Sequence, residues 1–276
     1  MSKNALVVKS NALIETSYQL SVNEQIIILA CISQVRRDEP ITDKTMYSIS
    51  APEFSTLCGS NIGLAYRDLK SAALKLRRRE VRITNKPNGE GKRKEVLVAG
   101  WVQSITYSDG SGLVSLRFNH DILPYLTELK RCFSSYELKN ITRMSSAYGA
   151  RLYELLVQWK DLGERDVSIT WLRSSFMLEK KYSQMCDFKK RVLEPAVKDI
   201  NENSDLWVKW EQKKTGCKIT HLKFKFGVKE RQKNKPLKVE TKIHGVKKSV
   251  IEKNSRPGET YEQAALRIKN KSREIA

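Results

Sequence analysis

The sequence predicts an α+β chain of two tandem winged-helix domains, each an elaborated helix-turn-helix with a β-hairpin wing, plus a basic flexible C-terminal tail. Three observations predict it. The order helix, short strand, short helix, long helix, hairpin occurs twice. The core helices begin at 21 and 142 and the long second helices at 61 and about 184, offsets of 40 and 42 residues. The 276 residues carry 51 Lys and Arg against 31 Asp and Glu, a formal charge of +20, which calls for a polyanionic partner. The expected domains are 1–132, 133–228 and the tail 229–276.

The first copy is predicted element by element. Ser21 with Glu24 three residues later is a capping box, and Ile26, Ile27, Leu29, Ala30 and Ile32 continue a mostly buried helix to about Arg37. Met46 to Ser50 alternates as a short strand. Ala51 to Cys58 is a short helix with Pro52 in its first turn and Gly59 as its stop. Asn61 to Arg79 is a long helix and Glu80 to Asn85 a strand. Val96 to Tyr107 and Leu113 to Phe118 pair as a hairpin about Asp109-Gly110.

The second copy repeats the pattern. Thr142 to Lys160 is a helix, Asp166 to Ile169 a short strand and Thr170 to Leu178 a short helix. Gln184 to Asn201 is the second long helix, with a kink expected at Pro195, which lacks an N–H. Leu206 to Gln212 and Lys218 to Phe226 form the second hairpin. Trp159, Trp171, Trp207 and Trp210 lie on strongly periodic elements and are expected in the core.

Composition excludes several classes. The longest apolar run, Ile26 to Ile32, has seven residues, whereas a membrane helix needs about 20. No signal-type stretch follows Met1, so a soluble, cytoplasmic protein is expected. The five cysteines and three histidines are scattered, so no disulfide framework, metal site or clustered-histidine nuclease is expected. No P-loop occurs. The reading is non-enzymatic, with no cofactor. The tail holds 14 basic and 6 acidic residues and reads as a mobile basic arm. Its spacing allows a short helix over Glu259 to Ser272.

The long helices carry the candidate DNA contacts. On a helical wheel Met185, Phe188, Val192, Leu193, Ala196, Val197 and Ile200 point to the core. Residues near the N-terminus of a recognition helix read base edges in the major groove. Arg191 and Lys190 suit guanine, Gln184 adenine and Asp187 cytosine. Lys180, Lys181, Lys189 and Lys198 suit phosphates, and Ser183 suits a helix cap or a phosphate. In the first helix Ile62, Ala65, Tyr66, Leu69, Ala72, Ala73 and Leu76 form the core stripe. Arg67, Ser71, Lys75 and Arg78 form the opposite stripe, with no interleaved carboxylate, and suit a phosphate backbone; Lys70, Arg77 and Arg79 widen it. Lys209, Lys213, Lys214 and Lys218 surround the Thr215-Gly216 turn and suit phosphate or minor-groove contact. The plain alternative for each face is a solvated surface.

Several segments resemble one family. Ser10-Asn-Ala-Leu13 followed by Tyr18-x-Leu20-Ser21-x-x-Glu24-Gln25 is similar to the start of the iteron-binding, theta-type plasmid replication initiators of the RepE/RepA/π type. Ser146-Ala-Tyr-Gly-Ala-Arg151-Leu-Tyr153-Glu-Leu-Leu156 resembles their second-domain core helix. Tyr182 with Phe188-Lys-Lys-Arg-Val-Leu-Glu-Pro195-Ala-Val-x-x-Ile-Asn201 resembles their recognition helix. The resemblance covers about residues 8–228. It implies binding of directly repeated origin sites (iterons) in double-stranded DNA by a monomer, and a homodimer that represses its own promoter. It also implies recruitment of the host initiator DnaA, the replicative helicase and chaperones. By the same resemblance the first-domain hairpin, Val96 to Phe118, is the candidate dimer surface.

Two rivals share the basic faces. A winged-helix transcriptional regulator with no origin role would bind a palindromic operator. A recombinase or relaxase would need a nucleophile; Tyr153, Tyr182 and Tyr261 are nominal candidates without a His-Arg constellation around them. RNA binding has no aromatic recognition motif here.

Overall fold

The computed structural model describes residues 5–36, 41–216 and 218–229, and in the C-terminal stretch 242–243, 246–247, 262–263, 265–267 and 270. Residues up to Lys229 form one compact unit and those after it a second; each is described by itself. In the second, strands β12 (Lys242–Ile243) and β13 (Val246–Lys247) pair antiparallel, and 262–263, 265–267 and 270 are helical. The rest of the expected mobile tail, and of its helix over Glu259 to Ser272, lies outside the described residues.

In the first unit, β1 (Leu6–Ser10) leads into α1 (Asn11–Ile14), β2 (Ser17–Tyr18) and α2 (Val22–Ile32). The capping box at Ser21 and Glu24 forms as expected. Residues 24–32 of α2 are all buried, so this helix is the core of the first winged helix. β3 (Tyr47–Ser50) runs into α3 (Ala51–Cys58), capped by a second box, Ser50 with Glu53, and stopped by Gly59 at φ 66°. α4 (Ile62–Leu76) follows, capped by Asn61.

β4 (Glu80–Asn85), β5 (Lys92–Gly100), β6 (Val102–Ser108) and β7 (Leu113–Phe118) complete the first copy. The single strand expected over Val96 to Tyr107 is two strands. β5 belongs to the sheet β2-β4-β5 and β6 to the sheet β3-β7-β6. Trp101 and Val102 are both buried, which breaks the inward-outward alternation. The Trp101 ring sits edge-on against Tyr18 at 4.8 Å and anchors the corner.

A 3-10 helix over His120–Tyr125 leads to β8 (Phe133–Glu137). β8 pairs antiparallel with β1, a link that the sequence reading lacked because it spans more than 120 residues. The helix expected over Thr142 to Lys160 begins later. A short α5 (Lys139–Thr142) stops, and α6 (Ala147–Val157) starts after Ser146.

The second copy continues with β9 (Glu164–Ser168), α7 (Ile169–Ser175), α8 (Met185–Phe188), a π-helical turn over Lys189–Leu193, α9 (Glu194–Asn203), β10 (Leu206–Thr215) and β11 (Lys218–Val228). β10, β11 and β9 form an antiparallel sheet. Near Pro195, where a kink is expected, the helix carries a π turn that ends just before the proline, which lies in the first turn of α9. A π turn rewires the i→i+4 ladder where proline supplies no donor. One hydrophobic cluster runs from Val7 to Phe226, so the two copies share a continuous core.

Of the four tryptophans expected in the core, Trp171 and Trp210 pack against it and two depart. Trp159 and Trp207 are each 40% exposed, and the fully buried tryptophan is Trp101. On β10 the alternation turns Leu206 and Val208 inward, which leaves Trp207 outward, its indole lying on Gly227. Trp159 and Trp171 flank the Arg165 guanidinium at 5.4 and 5.2 Å, so their ring faces serve a cation.

Beneath both copies lies a buried ionic cluster. Lys9 on β1 meets Glu154 on α6 at 2.5 Å, with both side chains almost fully buried. Glu154 also accepts from the hydroxyls of Tyr18 and Tyr136. Arg151 donates to Glu154 and to the carbonyls of Ile14 and Thr16. Burial pushes the Glu154 carboxyl up, but the Lys9 and Arg151 charges outweigh it and hold it below its ordinary value. Burial lowers Lys9.

Candidate nucleic-acid interface

The second-copy face is built on α8, the π turn and α9. Phe188, Val192, Leu193, Ala196 and Ile200 are buried as expected, with Met185 and Val197 half-buried. Gln184, Asp187, Lys190 and Arg191 all stand exposed on the outer side. Lys180, Lys181 and Ser183 are exposed in the turn before the helix. Ser183 does not cap the helix. Gln184 is the N-cap residue, and the Ser183 carbonyl accepts from Arg173 at 3.1 Å. The Arg173 guanidinium also lies over the Phe188 ring at 4.7 Å, so one side chain ties the turn to the helix. Met177 and Tyr182, at either end of this turn, hold φ of 53°.

Asp199, absent from the sequence reading, fixes the other end. It is nearly buried and accepts from the backbone N–H of Ser145 and Ser146 and from the Ser145 hydroxyl. It thereby caps α6, whose N-cap residue Ser146 makes no side-chain cap bond. A Cβ at Gly149 would stand 3.1 Å from the Asp199 Cβ, so glycine permits the approach. No local pattern signals a cap supplied from 53 residues away.

The wing follows. Lys209, Lys213, Lys214 and Lys218 are exposed around Gly216. Lys213 pairs with Asp166, Lys189 with Glu194 at 3.7 Å and Lys198 with Glu202 at 4.0 Å. Exposed pairs of this kind contribute only about 0–1 kcal/mol, so phosphates can compete for these cations. Lys189 also lies over the Trp210 ring at 5.8 Å, which joins helix to wing.

The first-copy face stands on α4. Ala65, Leu69, Ala72, Ala73 and Leu76 are buried, and Arg67, Ser71, Lys75, Arg77 and Arg78 are exposed. Three expectations change. Ile62 is 45% exposed because it opens the helix ahead of the core stripe. Arg79 does not widen the cationic row; it bonds the buried Glu24 carboxylate at 2.9 Å. The row also meets carboxylates: Arg67 pairs with Asp68 at 3.0 Å and Lys70 with Asp109 at 2.5 Å. Asp109 sits in the β6–β7 turn, Lys70 lies over Tyr107 at 5.4 Å, and the Tyr66 ring rests on Gly112. This wing is clamped to its own helix.

Enzymatic features are few among the described residues. No group of three or more His, Cys, Asp or Glu is placed to hold a metal. Tyr153 is buried, donates to Asp205 at 2.9 Å and accepts from Asn140 at 3.0 Å, and burial drives its hydroxyl far above the ordinary value. Tyr182 is half-buried, and Tyr261 lies outside the described residues. No described helix is long and apolar enough to cross a membrane.

A helix-turn-helix with a wing, present twice and basic each time, defines the tandem winged-helix class. The family assignment follows from comparison. A model described as "Initiator Replication protein, WH1" matches residues 6–157, and one described as "Initiator Rep protein, WH2" matches 168–226. The chain belongs to this replication initiator family. The first match runs through α6. Among relatives, the PI protein of Escherichia coli is 25% identical over 260 residues, covering 83% of this chain and 85% of its own. A replication initiation protein of Escherichia coli is 27% identical over 210 residues, covering 73% of this chain and 63% of its own. The crystal structure of the Pi initiator protein in complex with iteron DNA matches the fold with a TM-score of 0.68 at 23% identity, over 83% of this chain and all of that one.

Proposed function

We propose that this protein initiates plasmid replication by binding directly repeated origin sites in duplex DNA. The observation that carries the reading is the pair of exposed basic helix faces on one shared core, the second with a basic wing, in a chain of the initiator family. Gln184, Asp187, Lys190 and Arg191 read base edges. Arg67, Ser71, Lys75, Arg78, Lys180, Lys181, Ser183, Lys189, Lys198, Lys213 and Lys214 engage phosphates. The two recognition helices enter successive major grooves, which recur every 10–10.5 bp or so, so one monomer covers roughly 20 bp. Occupying several repeats bends the DNA and strains an adjacent A·T-rich segment toward opening. Recruitment of host replication proteins and repression of its own promoter by a dimer complete the proposal. The test is selection of bound sequences from random duplex DNA at moderate salt. A non-palindromic site of about two helical turns is expected. A short palindrome would instead mark a transcriptional regulator, and no enriched sequence would overturn specific binding.

A further inference from the structure

The outward stripe of α4 contains one residue that a phosphate-binding face does not need. Arg67, Ser71, Leu74 and Arg78 follow one another at spacings of 4, 3 and 4, directly opposite the buried residues Leu69, Ala72 and Leu76. Leu74 is 65% exposed at the centre of that stripe. Lys70 precedes it by one turn, and Arg77 and Arg78 follow it by one turn, all exposed. Ile62 and Leu64 are also exposed, at the start of the helix; Leu74 is the exposed leucine that stands among the cations, and an apolar protein surface over it would have to desolvate those cations as well. This setting suits a polyanion that carries an apolar spot between its charges.

Duplex DNA is such a polyanion. Its phosphates line the walls of the major groove, and the apolar group exposed on the groove floor is the thymine 5-methyl. Arg67 and Arg78 stand about 16 Å apart along the helix axis, and the groove is about 12 Å wide. With Leu74 toward the floor, Lys70 and Arg77 lie on one flank of the helix and Lys75 on the other, toward the two walls, and Arg67 and Arg78 lie before and after Leu74 along the groove. The clamp of Lys70 to Asp109 and of Tyr66 to Gly112 holds the wing on the flank of the helix and leaves the Leu74 stripe clear.

We infer that Leu74 is a specificity-determining residue that contacts thymine 5-methyl groups, so that the first winged helix reads bases as well as phosphates. This inference rests on the duplex-reading function proposed above. The test measures the affinity of the full chain for its selected duplex and for the same duplex with every thymine replaced by uracil, which lacks only the methyl. Leu74→Ala is expected to weaken binding to the thymine duplex about 4-fold, the equivalent of one buried methyl group, and to leave binding to the uracil duplex unchanged. Leu162→Ala, at an equally exposed leucine in the turn after α6 and outside both long helices, is expected to change neither. Equal losses on both duplexes, or no loss on either, would overturn the inference alone. Failure of the unaltered protein to select any sequence would overturn the duplex-reading function, and this inference with it.

Discussion

The two winged helices solve the same problem differently. In the first, α4 is a regular 15-residue helix whose wing is folded against it through Lys70–Asp109 and Tyr66 on Gly112. In the second, the recognition helix is interrupted by a π turn, seated on α6 by Asp199, and followed by a wing that carries Lys213, Lys214 and Lys218. The first helix presents Leu74 among cations, with Ile62 and Leu64 exposed at its start. The second presents four exposed polar side chains, Gln184, Asp187, Lys190 and Arg191, which are the base readers of the proposed function. The difference teaches how one fold divides labour. Under the proposed function, the clamped, regular helix would hold position along the phosphates with an apolar base contact at Leu74, and the interrupted helix with its basic wing would supply most of the sequence discrimination.

That comparison presumes a rigid joint between the copies, and the buried ionic cluster is the largest lever on it. Glu154→Ala would leave Lys9 and Arg151 buried beside no carboxylate. A loss of about 3–5 kcal/mol is expected, measured by denaturant unfolding. Because the folded-state pKa of Glu154 lies below its ordinary value, its contribution is present above the ordinary carboxylate pKa. It is lost as pH falls through the lower folded value. The unaltered protein is therefore expected to lose stability over that acid range more steeply than Glu154→Gln.

The wings allow a matched pair of substitutions. Gly112 and Gly216 have nearly the same φ, 59° and 61°, but a Cβ at Gly112 would fall 2.1 Å from the Tyr66 ring while one at Gly216 meets nothing within 4 Å. Gly112→Ala is expected to cost on the order of 2–3 kcal/mol and Gly216→Ala about 1 kcal/mol. Equal costs in thermal unfolding would mean that the first wing is not clamped.

The helices can be separated by binding. Arg191→Ala is expected to cost about 1–3 kcal/mol on the selected site and to relax the preference at one base pair. A uniform loss on all sequences would make Arg191 a phosphate ligand and remove a contrast between the helices. Lys75→Ala is expected to have the smallest effect, weakening binding evenly and reducing the salt slope by about 1. An unchanged slope in a salt titration would take Lys75 out of the interface.

Much of this was legible along the chain, because local chemistry decides it. The capping box at Ser21, the stop at Gly59, the core stripe of the second long helix and the second hairpin appear where their residues place them. An irregularity near Pro195 was legible in the sequence, though the π turn over Lys189–Leu193 was not. What escaped depends on partners far apart in sequence. β1 pairs with β8, Asp199 caps a helix that starts more than 50 residues earlier, and Arg79 answers Glu24 across 55 residues. Trp101 reads as one more residue in an alternating run, and only its burial against Tyr18 turns the chain between sheets. Leu74 belongs to neither stripe named from the sequence, and its 65% exposure is a result of the packing of α4.

The most direct test of the central claim is hydroxyl-radical footprinting of a one-to-one complex on the selected duplex. The account predicts protection of roughly 20 bp on one face of the helix, in two blocks one turn apart, one assigned to each winged helix. A single block of about one turn, unchanged by Lys75→Ala, would show that only the second winged helix engages DNA and would contradict the division of labour between the two.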